Sequence, residues 1–417
     1  MVLACGWVIL QHVDNAALDW TNSMVTRIKR LALAILVVLC ATIAAGHAED
    51  VTQQRVKNSV DAVITAVMTK YGVPGMAVGV TVAGKPYVFT YGVASTATRK
   101  PVTRDTLFEI GSISKTFTAT LTSYAQVMGK LSLSDQTGKY LPALQGSPFG
   151  NIKLLNLGTH TPGGLPLQLP DNIKNNDELL QYLRSWRPAY PGGTRRTYSN
   201  IGIGTLGWIT AKSMGQDFAT LMEQRLFPGL GLKASYIHVP ESDMANYAQG
   251  YTRGNTPIRM DSAVLSSEAY GVKTTAPDMI HFVEDNINSE GLTPQFHRAI
   301  TETHTGYFQA GPMTQDLIWE QYPYPVSLNA LFEGNSAAMA FHATPVTKIN
   351  PPEKPREDVW MNKTGSTNGF GAYVAFVPEK RLGIVILANK NYPNDVRVKA
   401  AFSILTAIAN GMGENSK

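Results

Sequence analysis

Cysteine is almost absent from this chain. Its 417 residues include only two cysteines, Cys5 and Cys40, and both lie within the first 40 positions. A segment without cysteine has no disulfide, no thiolate nucleophile and no cysteine-based metal site. The sequence after Cys40 therefore excludes all three.

Clustered charge and metal-binding motifs are also missing. The formal net charge is +5, from 36 Lys and Arg against 31 Asp and Glu, and the basic residues are scattered. Scattered charge favours solubility rather than nucleic-acid binding. The chain has no H-E-x-x-H, no other histidine cluster and no G-x-S-x-G, which argues against a metallo-hydrolase and an α/β-hydrolase. We expect no metal, no cofactor and no nucleic-acid partner.

An apolar run lies near the N-terminus. Residues 24–30 are basic, residues 31–45 are apolar, and small residues follow at 46–48. This order is typical of a secretory signal peptide, and the run is short for a membrane span. We predict cleavage after Ala48 and a periplasmic mature protein, whereas an uncleaved membrane anchor is the competing interpretation.

The predicted domain organisation follows from this cleavage. Residues 1–48 are predicted as an N-terminal extension and signal peptide, of which 1–23 do not fit a standard signal. Residues 49–417 are predicted as a single domain, which is expected to be a monomer without a membrane contact in its mature form. With 44% hydrophobic and 16% charged residues, the chain can build a large core and two lobes.

Hydrophobic periodicity indicates the order of the elements. Residues from about 52 to 71 have helical spacing, and 75–95 contain two β-rich runs joined through Ala83-Gly84-Lys85. The stretch 112–231 is mostly helical. Residues 369–390 contain two more strands around a turn at 378–380, before a helix from Asn394 to near Gly411.

This order predicts a two-lobed α/β (α+β) fold. An antiparallel sheet is assembled from both chain ends and flanked by helices, with a mostly helical lobe inserted. The sheet lobe covers about 49–108 and 320–417, and the helical lobe covers about 109–319. A cleft between such lobes is the usual place for a site.

Ser112 and Lys115 form an S-x-x-K pattern in the stretch FEIGSISKTFTAT. If a helix begins near Ser112, both side chains lie on one face. One interpretation is a buried helix start with a solvated lysine. The other is a serine nucleophile beside the base that it needs, because burial or a nearby cation can lower a lysine pKa.

Two further stretches bear on this choice. TRRTYSNIGIG contains Tyr198-Ser199-Asn200, and MNKTGSTNGFG contains Lys363-Thr364-Gly365-Ser366. Each alone is typical of a turn or a strand entry. In this order, however, S-x-x-K, Y-x-N and K-T-G form the three-part signature of the penicillin-recognising serine enzymes.

The chain resembles a class C serine β-lactamase, a periplasmic cephalosporinase of that superfamily. The resemblance covers nearly all of the predicted mature chain, including GGLPLQLP at 163–170, EAYGVK at 268–273 and LANKNYPNDVRV at 387–398. The Y-x-N form, rather than S-D-N, separates it from class A. The resemblance implies hydrolysis of the β-lactam amide, with cephalosporins favoured, and a role in β-lactam resistance.

The resemblance also implies catalytic roles. Ser112 is the nucleophile that becomes acylated, and the backbone N–H groups of Ser112 and Ser366 form the oxyanion hole. Lys115 and Lys363 face the same cavity as Tyr198, so that each cation lowers the proton affinity of the others. Either Tyr198 or Lys115 is the acylation base, and Tyr198 assisted by Lys115 activates the deacylating water.

Substrate binding is implied for Gln168, Asn200, Tyr270, Thr364, Gly365, Ser366, Asn394 and Arg397. Gln168 and Asn200 match positions that hold the side-chain amide of the antibiotic, and Tyr270 matches an aromatic wall. The backbone from Lys363 to Ser366 is expected to lie along the substrate as an edge strand. Thr364, Asn394 and Arg397 match the region that receives the substrate carboxylate.

Structural roles remain alternatives for several residues. Gln168 and Tyr270 can be ordinary loop and wall residues, Arg397 can be solvated or ion-paired, and His160 is interpreted as structural. Asn362 and Asp395 depart from the family, which often has histidine and proline there. These two departures bear on substrate preference rather than on the nucleophile.

Other functions share the motifs. A D,D-peptidase is acylated by β-lactams but releases them slowly, and the EAYGVK and LPLQLP stretches favour the β-lactamase. An esterase on the same fold usually lacks Lys-Thr-Gly. A non-catalytic binding protein has no need for Ser112, Lys115, Tyr198 and Lys363 together.

Overall fold

The computed structural model describes residues 52–414. The chain divides into two compact units, 1–58 and 59–417. Only residues 52–58 of the first unit are described, and they are helical. The predicted signal peptide and its cleavage site after Ala48 lie outside the described residues.

Helices account for much of the second unit. They are α1 (59–71), α2 (Ser114–Val127), α3 (Leu154–Gly158), α4 (Asn176–Ser185), α5 (Asn200–Met214), α6 (Phe218–Leu221), α7 (Phe227–Gly229), α8 (Ser266–Tyr270), α9 (Ala276–Ile287), α10 (Pro294–Thr303), α11 (Leu328–Gly334), α12 (Ala337–Phe341) and α13 (Asn394–Glu414). A π-helical turn, Met222–Leu226, joins α6 to α7, and a 3₁₀ turn, Gly111–Ile113, precedes α2.

Strands occur mainly near the two ends of this unit. They are β1 (Gly75–Val82), β2 (Lys85–Gly92), β3 (Phe108–Glu109), β4 (Arg195–Arg196), β5 (Ser235–Tyr236), β6 (Gly250–Tyr251), β7 (Pro257–Ile258), β8 (Lys273–Thr274), β9 (Gly306–Ala310), β10 (Met313–Gln315), β11 (Glu320–Pro323), β12 (Thr344–Pro345), β13 (Thr347–Glu353), β14 (Val359–Ser366), β15 (Gly371–Val377) and β16 (Leu382–Ala388).

Nine strands of the described residues form one antiparallel sheet. Their order is β13-β9-β10-β11-β14-β15-β16-β1-β2. β1, from the start of the unit, pairs with β16, from its end, with Val78 opposite Ile386. The sheet is thus assembled from both chain ends, which confirms the predicted architecture.

Two hydrophobic cores lie on either side of α2. One core, between the large sheet and α9, includes Phe117 of α2. The other core, among α3, α4 and α5, includes Ala119 and Ala125 of α2. Because α2 lies between the two cores, its first turn lies where the sheet and the helical lobe meet.

The sequence predictions of local structure are largely confirmed. Residues 83 and 84 form the turn between β1 and β2, and both have positive φ. The last helix begins at Asn394 as predicted but extends to Glu414, beyond the predicted end near Gly411. β9 already belongs to the large sheet, so sheet strands begin before the predicted lobe boundary near residue 320. The lobe and domain boundaries stay a prediction.

Candidate active site

Ser112 and Lys115 lie at the start of α2. Ser112 belongs to the 3₁₀ turn Gly111–Ile113, and α2 begins at Ser114. Lys115 Nζ donates a hydrogen bond of 2.8 Å to Ser112 Oγ and another of 2.8 Å to Ala269 O. Lys115 is fully buried and Ser112 is partly exposed. The two side chains therefore meet on one face, and the lysine is not the solvated residue of the structural interpretation.

Tyr198 lies between two lysines. The side chain of Ser199 caps α5 by accepting a hydrogen bond of 3.2 Å from Gly202 N, so Tyr198 immediately precedes the helix. The centroid of its ring is 5.2 Å from Lys115 Nζ and 5.0 Å from Lys363 Nζ. The three motifs that are far apart in sequence are thus brought together.

The pKa values of Lys115 and Tyr198 are both lowered. Burial lowers the pKa of Lys115 to about 8, and the charge of Lys363 acts in the same direction. Burial by itself raises the pKa of Tyr198, but Lys115, Lys363 and a hydrogen bond with Ser112 outweigh it and lower this pKa to about 8. The two groups titrate as a coupled pair, and a pKa near neutrality suits a general base.

Lys363 has a carboxylate partner. Its Nζ lies 3.4 Å from Glu320 Oε1, and both side chains are buried. Arg196, also buried, donates to the same oxygen through Nη2 at 3.1 Å. Burial lowers the pKa of Lys363, but the Glu320 carboxylate and the charge of Tyr198 together outweigh this effect, so that the pKa is raised. Lys363 therefore remains a cation beside Tyr198.

No motif marks Glu320 as part of the site. The signal that the sequence does contain is indirect, because a buried lysine requires a counter-charge but does not say which carboxylate supplies it. Arg196 lies two residues before Tyr198, and it also donates to Gln315 Oε1 at 2.7 Å. This network ties Lys363 to the turn that carries Tyr198.

The second half of β14 has a free edge. β14 pairs with β11 only as far as Asn362, whereas Lys363–Ser366 pair with β15 on the other side. β14 is thus an internal strand as far as Asn362, and Lys363–Ser366, which were predicted to form an edge, pair on one side only. These four residues line the cavity that contains Ser112.

Close backbone contacts hold this edge beside the nucleophile. A Cβ at Gly111, which has φ +52, would lie 2.5 Å from Ser366 N. A Cβ at Gly365 would lie 1.9 Å from Ile110 O. Only glycine permits these approaches, which place the backbone of Ser366 next to the turn that carries Ser112. This is the pair of residues expected to supply the oxyanion hole.

A cavity of about 620 Å³ opens at this place, and it contains Ser112, Tyr198 and Lys363 in its lining. The predicted binding residues that line it are Gln168, Asn200, Thr364, Gly365, Ser366 and Asn394. Tyr270 instead lines an adjoining cavity of about 320 Å³, which shares Gln168 and Asn200 with the first. Gln168 and Asn200 thus separate a region near the nucleophile from a side pocket.

The two departures from the family pattern lie in different surroundings. Asp395 lines the larger cavity. Asn362 is buried, and its Nδ2 donates a hydrogen bond of 3.0 Å to Glu320 O while its Oδ1 accepts one of 2.9 Å from Tyr373 OH. Asn362 therefore holds β14 against β11, and Asp395 is the departure that a substrate can meet.

Arg397 lies elsewhere than its predicted role requires. It is fully buried and is not among the residues that line either cavity. Its Nη1 donates to Gly365 O and to Ser366 Oγ, both at 2.8 Å. A direct contact with a substrate carboxylate has no support in this placement, because the guanidinium lies beneath the strand and not in the cavity.

His160 packs behind Tyr198. The two rings are 4.3 Å apart between centroids, and His160 Nδ1 accepts a hydrogen bond of 3.3 Å from Ser199 N. Burial, followed by the charges of Arg196, Lys115 and Lys363, lowers the pKa of His160 well below its usual value. A neutral imidazole that orients its neighbours fits the structural interpretation of this residue.

Within residues 52–414, no group of three or more His, Cys, Asp or Glu side chains is placed to hold a metal ion. None of the helices in the same range combines the length and the apolarity that a membrane crossing requires.

Known proteins are similar to this chain over most of its length. The model of the β-lactamase family matches residues 60–408. The chain is 51% identical over 353 residues to a β-lactamase from Pseudomonas fluorescens, covering 85% of this chain and 99% of the relative.

Solved structures agree with these matches. A class C β-lactamase in complex with cefoxitin is 51% identical with a TM-score of 0.82, covering 85% of this chain and 99% of that chain. A structure described as a D-alanine carboxypeptidase from Burkholderia cenocepacia is 57% identical with a TM-score of 0.81, covering 84% of this chain and 99% of that chain. Both activities are thus represented among proteins similar to this one.

Proposed function

We propose a mechanism for this chain, which belongs to the β-lactamase family as a class C serine enzyme and hydrolyses the β-lactam amide bond. Ser112 Oγ attacks the lactam carbonyl carbon, the C–N bond of the ring breaks, and the nitrogen takes up the proton removed from Ser112, which leaves an acyl-enzyme. The observation that carries this assignment is the 2.8 Å hydrogen bond between Lys115 Nζ and Ser112 Oγ. Ser112 lines a cavity with Tyr198, whose ring lies close to Lys115 and Lys363, and such a placement activates a serine hydroxyl without a histidine.

Acylation requires a base for the Ser112 proton. Lys115 and Tyr198 both have a pKa lowered to about 8, so either can accept this proton, and they act as a coupled pair. The negative charge on the carbonyl oxygen is stabilised by the backbone N–H groups of Ser112 and Ser366. Oxyanion-hole donors of this kind are worth about 10²–10³ in rate for each donor.

Deacylation requires an activated water. Tyr198, with its pKa lowered by Lys115 and Lys363 despite its burial, takes the proton from the water that attacks the acyl-enzyme. Lys115 assists by its charge, and Lys363 remains protonated beside Glu320. General-base help of this kind contributes roughly 10²–10⁴ in rate.

The substrate is proposed to lie along the free edge of β14. Gln168 and Asn200 hold the side-chain amide at the junction of the two cavities, and Tyr270 forms a wall of the side pocket. Thr364 and Asn394 lie toward the substrate carboxylate. We propose cephalosporins as the favoured substrates and β-lactam resistance as the consequence for the cell.

The test uses purified residues 49–417 and a chromogenic cephalosporin, with product and covalently bound enzyme both measured. Many turnovers per enzyme, lost in Ser112→Ala, support the β-lactamase. One equivalent of product with a long-lived adduct on Ser112 supports the D,D-peptidase activity for which the Burkholderia relative is described. Full activity in Ser112→Ala contradicts the mechanism.

Export is a separate proposal, which rests on the basic, apolar and small-residue order of residues 24–48. We propose a periplasmic, monomeric mature protein that begins after Ala48. N-terminal sequencing of the enzyme released from the periplasm checks the cleavage, and light scattering checks the mass. A protein that retains residues 24–45 in the membrane fraction supports the anchor instead.

A further inference from the structure

Two arginines near the end of β14 differ in exposure. Arg253 is exposed and lines the cavity that contains Ser112. Within residues 52–414 its side chain has no hydrogen-bond or ion-pair partner. Arg397, in contrast, is fully buried. The cavity therefore has an available guanidinium, and it is not the one that the family resemblance indicates.

We propose that these arginines have separate tasks, in which Arg397 positions the Gly365–Ser366 end of β14 and Arg253 contacts the carboxylate of the substrate. Arg397 is then a positioning residue, because it acts on the reaction only through the strand. The proposal rests on the β-lactamase function proposed above.

The hydrogen bonds of Arg397 support the first task. Nη1 donates to Gly365 O and Ser366 Oγ, both at 2.8 Å, and Nη2 donates to Asn391 Oδ1 at 3.0 Å and to Tyr392 O. The four N–H groups on Nη1 and Nη2 are thus used within the protein. The remaining N–H, on Nε, is buried and has no partner among the described residues. A substrate has no exposed donor of Arg397 to bind.

These bonds connect β14 to the loop before α13. Asn391 and Tyr392 line the cavity, and they precede the helix that carries Arg397. The free edge of Lys363–Ser366 lacks the β11 partner that holds the first half of the strand. The guanidinium therefore adds side-chain hydrogen bonds to a strand end that pairs with β15 alone.

Gly371 makes room for this guanidinium. It lies opposite Ser366 in the pairing of β14 with β15. A Cβ at Gly371 would lie 2.6 Å from Arg397 Nη2 and 2.7 Å from Cζ, which is closer than unbonded atoms approach. Gly371→Ala is therefore a second way to displace the guanidinium, and it leaves Arg397 itself in place.

Arg253 has the surroundings that an anion requires. It shares the cavity with the polar side chains of Thr364, Ser366 and Asn394. It is also close enough to Arg397 for its charge to contribute, after burial, to a lowered Arg397 pKa. An exposed cation beside the strand end is thus within the same region as the nucleophile.

The experiment compares two substrates and one inhibitor. The substrates are a chromogenic cephalosporin and its methyl ester, which lacks the carboxylate charge. The inhibitor is phenylboronic acid, which binds a nucleophilic serine and places a hydroxyl in the oxyanion hole without any carboxylate. Acylation rates, inhibition constants and thermal midpoints are measured for the wild type and for Arg397→Met, Arg397→Lys, Gly371→Ala and Arg253→Met.

For Arg397→Met we expect acylation to fall about 10- to 100-fold on acid and ester alike, because small misplacements of reacting groups have effects of this size. The inhibition constant of phenylboronic acid should rise in Arg397→Met, and Arg397→Lys should recover part of the loss. Gly371→Ala should also change the acylation rates on both substrates and the inhibition constant. For Arg253→Met we expect a loss of up to about fivefold on the acid, as for an exposed ion pair, with no change on the ester or the boronic acid.

Opposite patterns overturn the proposal. If Arg397→Met loses acylation only on the cephalosporin with a free carboxylate, Arg397 contacts that carboxylate. If Arg253→Met loses acylation equally on the free carboxylate and on the methyl ester, Arg253 does not contact the carboxylate. If Arg397→Met fails to fold, a wild-type pattern in Gly371→Ala overturns the positioning role. Should the wild type be acylated without turnover, the β-lactamase function fails, but acylation rates and boronic acid binding still test both arginines.

Discussion

Lys115 and Lys363 are two buried lysines close to the ring of Tyr198, and their pKa values move in opposite directions. Burial lowers the pKa of Lys115 to about 8. For Lys363 burial also lowers the pKa, but Glu320 and Tyr198 together outweigh this effect, and the pKa is raised. Lys115 hydrogen-bonds to a hydroxyl and a carbonyl, whereas Lys363 contacts a carboxylate. The partner, and not the depth of burial, decides which lysine can give up its proton.

Because their pKa values differ, the two lysines beside Tyr198 have different roles. The lowering at Lys115 corresponds to about 3 kcal/mol of destabilisation of its charged form. This cost makes Lys115 able to exchange a proton with Ser112 and Tyr198. Lys363 keeps its charge and lowers the pKa of Tyr198 by its field. One lysine is thus suited to proton transfer and the other to electrostatic stabilisation.

Replacing Lys115 by methionine should have the largest effect. Loss of its amine removes the hydrogen bond to Ser112 Oγ and one of the two cations beside Tyr198, and we expect the acylation rate to fall about 10²- to 10⁴-fold. Stopped-flow measurement with a chromogenic cephalosporin gives this rate. Lys115→Arg is the matched control, since it retains the charge but does not release a proton. Wild-type acylation in Lys115→Met would show that Lys115 has no part in the reaction.

Replacing Glu320 by glutamine should have the next largest effect. Without the carboxylate, burial lowers the pKa of Lys363, so that Lys363 loses its charge at a lower pH than in the wild type. We expect kcat/KM to fall about 10- to 100-fold, as for loss of a group that orients another, with a ratio to wild type that worsens as the pH rises. Glu333→Gln, at an exposed position on α11, is the control. A constant ratio across pH would argue against the ion pair as the cause.

Replacing Lys363 by methionine should shift the pH dependence. The active form of the Lys115–Tyr198 pair has lost one proton, so kcat/KM rises as the pH increases toward the pKa values of about 8. The charge of Lys363 lowers both values, and its removal therefore raises them. We expect the rising limb of the pH profile to move to higher pH. A limb that stays in place or moves to lower pH contradicts the electrostatic role.

Asp316 is a buried carboxyl group without a partner, in contrast to the two lysines. Its replacement should have the smallest effect. Both carboxylate oxygens lack a hydrogen-bond partner within the described residues, and burial raises the pKa of Asp316 well above its usual value. Ionisation therefore costs stability as the pH rises from the pKa of the unfolded chain toward the higher pKa of the folded state.

Asp316→Asn should remove this cost. We expect its free energy of unfolding at pH 7 to exceed that of the wild type by about 1–3 kcal/mol, with the difference disappearing below about pH 4. Denaturant unfolding at both pH values measures it, and Asp105→Asn, at an exposed position, is the control. A variant that is less stable than wild type at pH 7 would indicate that the carboxylate has a partner that contributes to folding.

Much of the fold could be predicted because its signals are local. The hairpin through residues 83–84 and the start of the last helix at Asn394 depend on turn and capping residues. The strands β9 and β10 were not predicted because they are short. Their pairing depends on β11 and β13, which lie farther along the chain.

Some residues of the candidate site could likewise be predicted from the sequence, and others could not. The residue types and spacing of the three motifs identify Ser112, Lys115, Tyr198 and Lys363, because a serine nucleophile requires a base and charges nearby. Arg196 and Glu320 belong to no motif that marks them, and the burial of Arg397 cannot be read from its position in the sequence. These features depend on contacts across 31 or more residues of chain.

The amino-acid sequence alone determined the chemistry available to this protein: a serine with an amine and a phenol for proton transfer, no cysteine after Cys40, and a sheet built from both chain ends. Only the tertiary structure decided which lysine keeps its proton, which arginine is buried and which one lines the cavity. The physical reason is that a pKa and a hydrogen bond depend on distances of a few ångströms between groups, and those distances are set by how the two cores pack around α2.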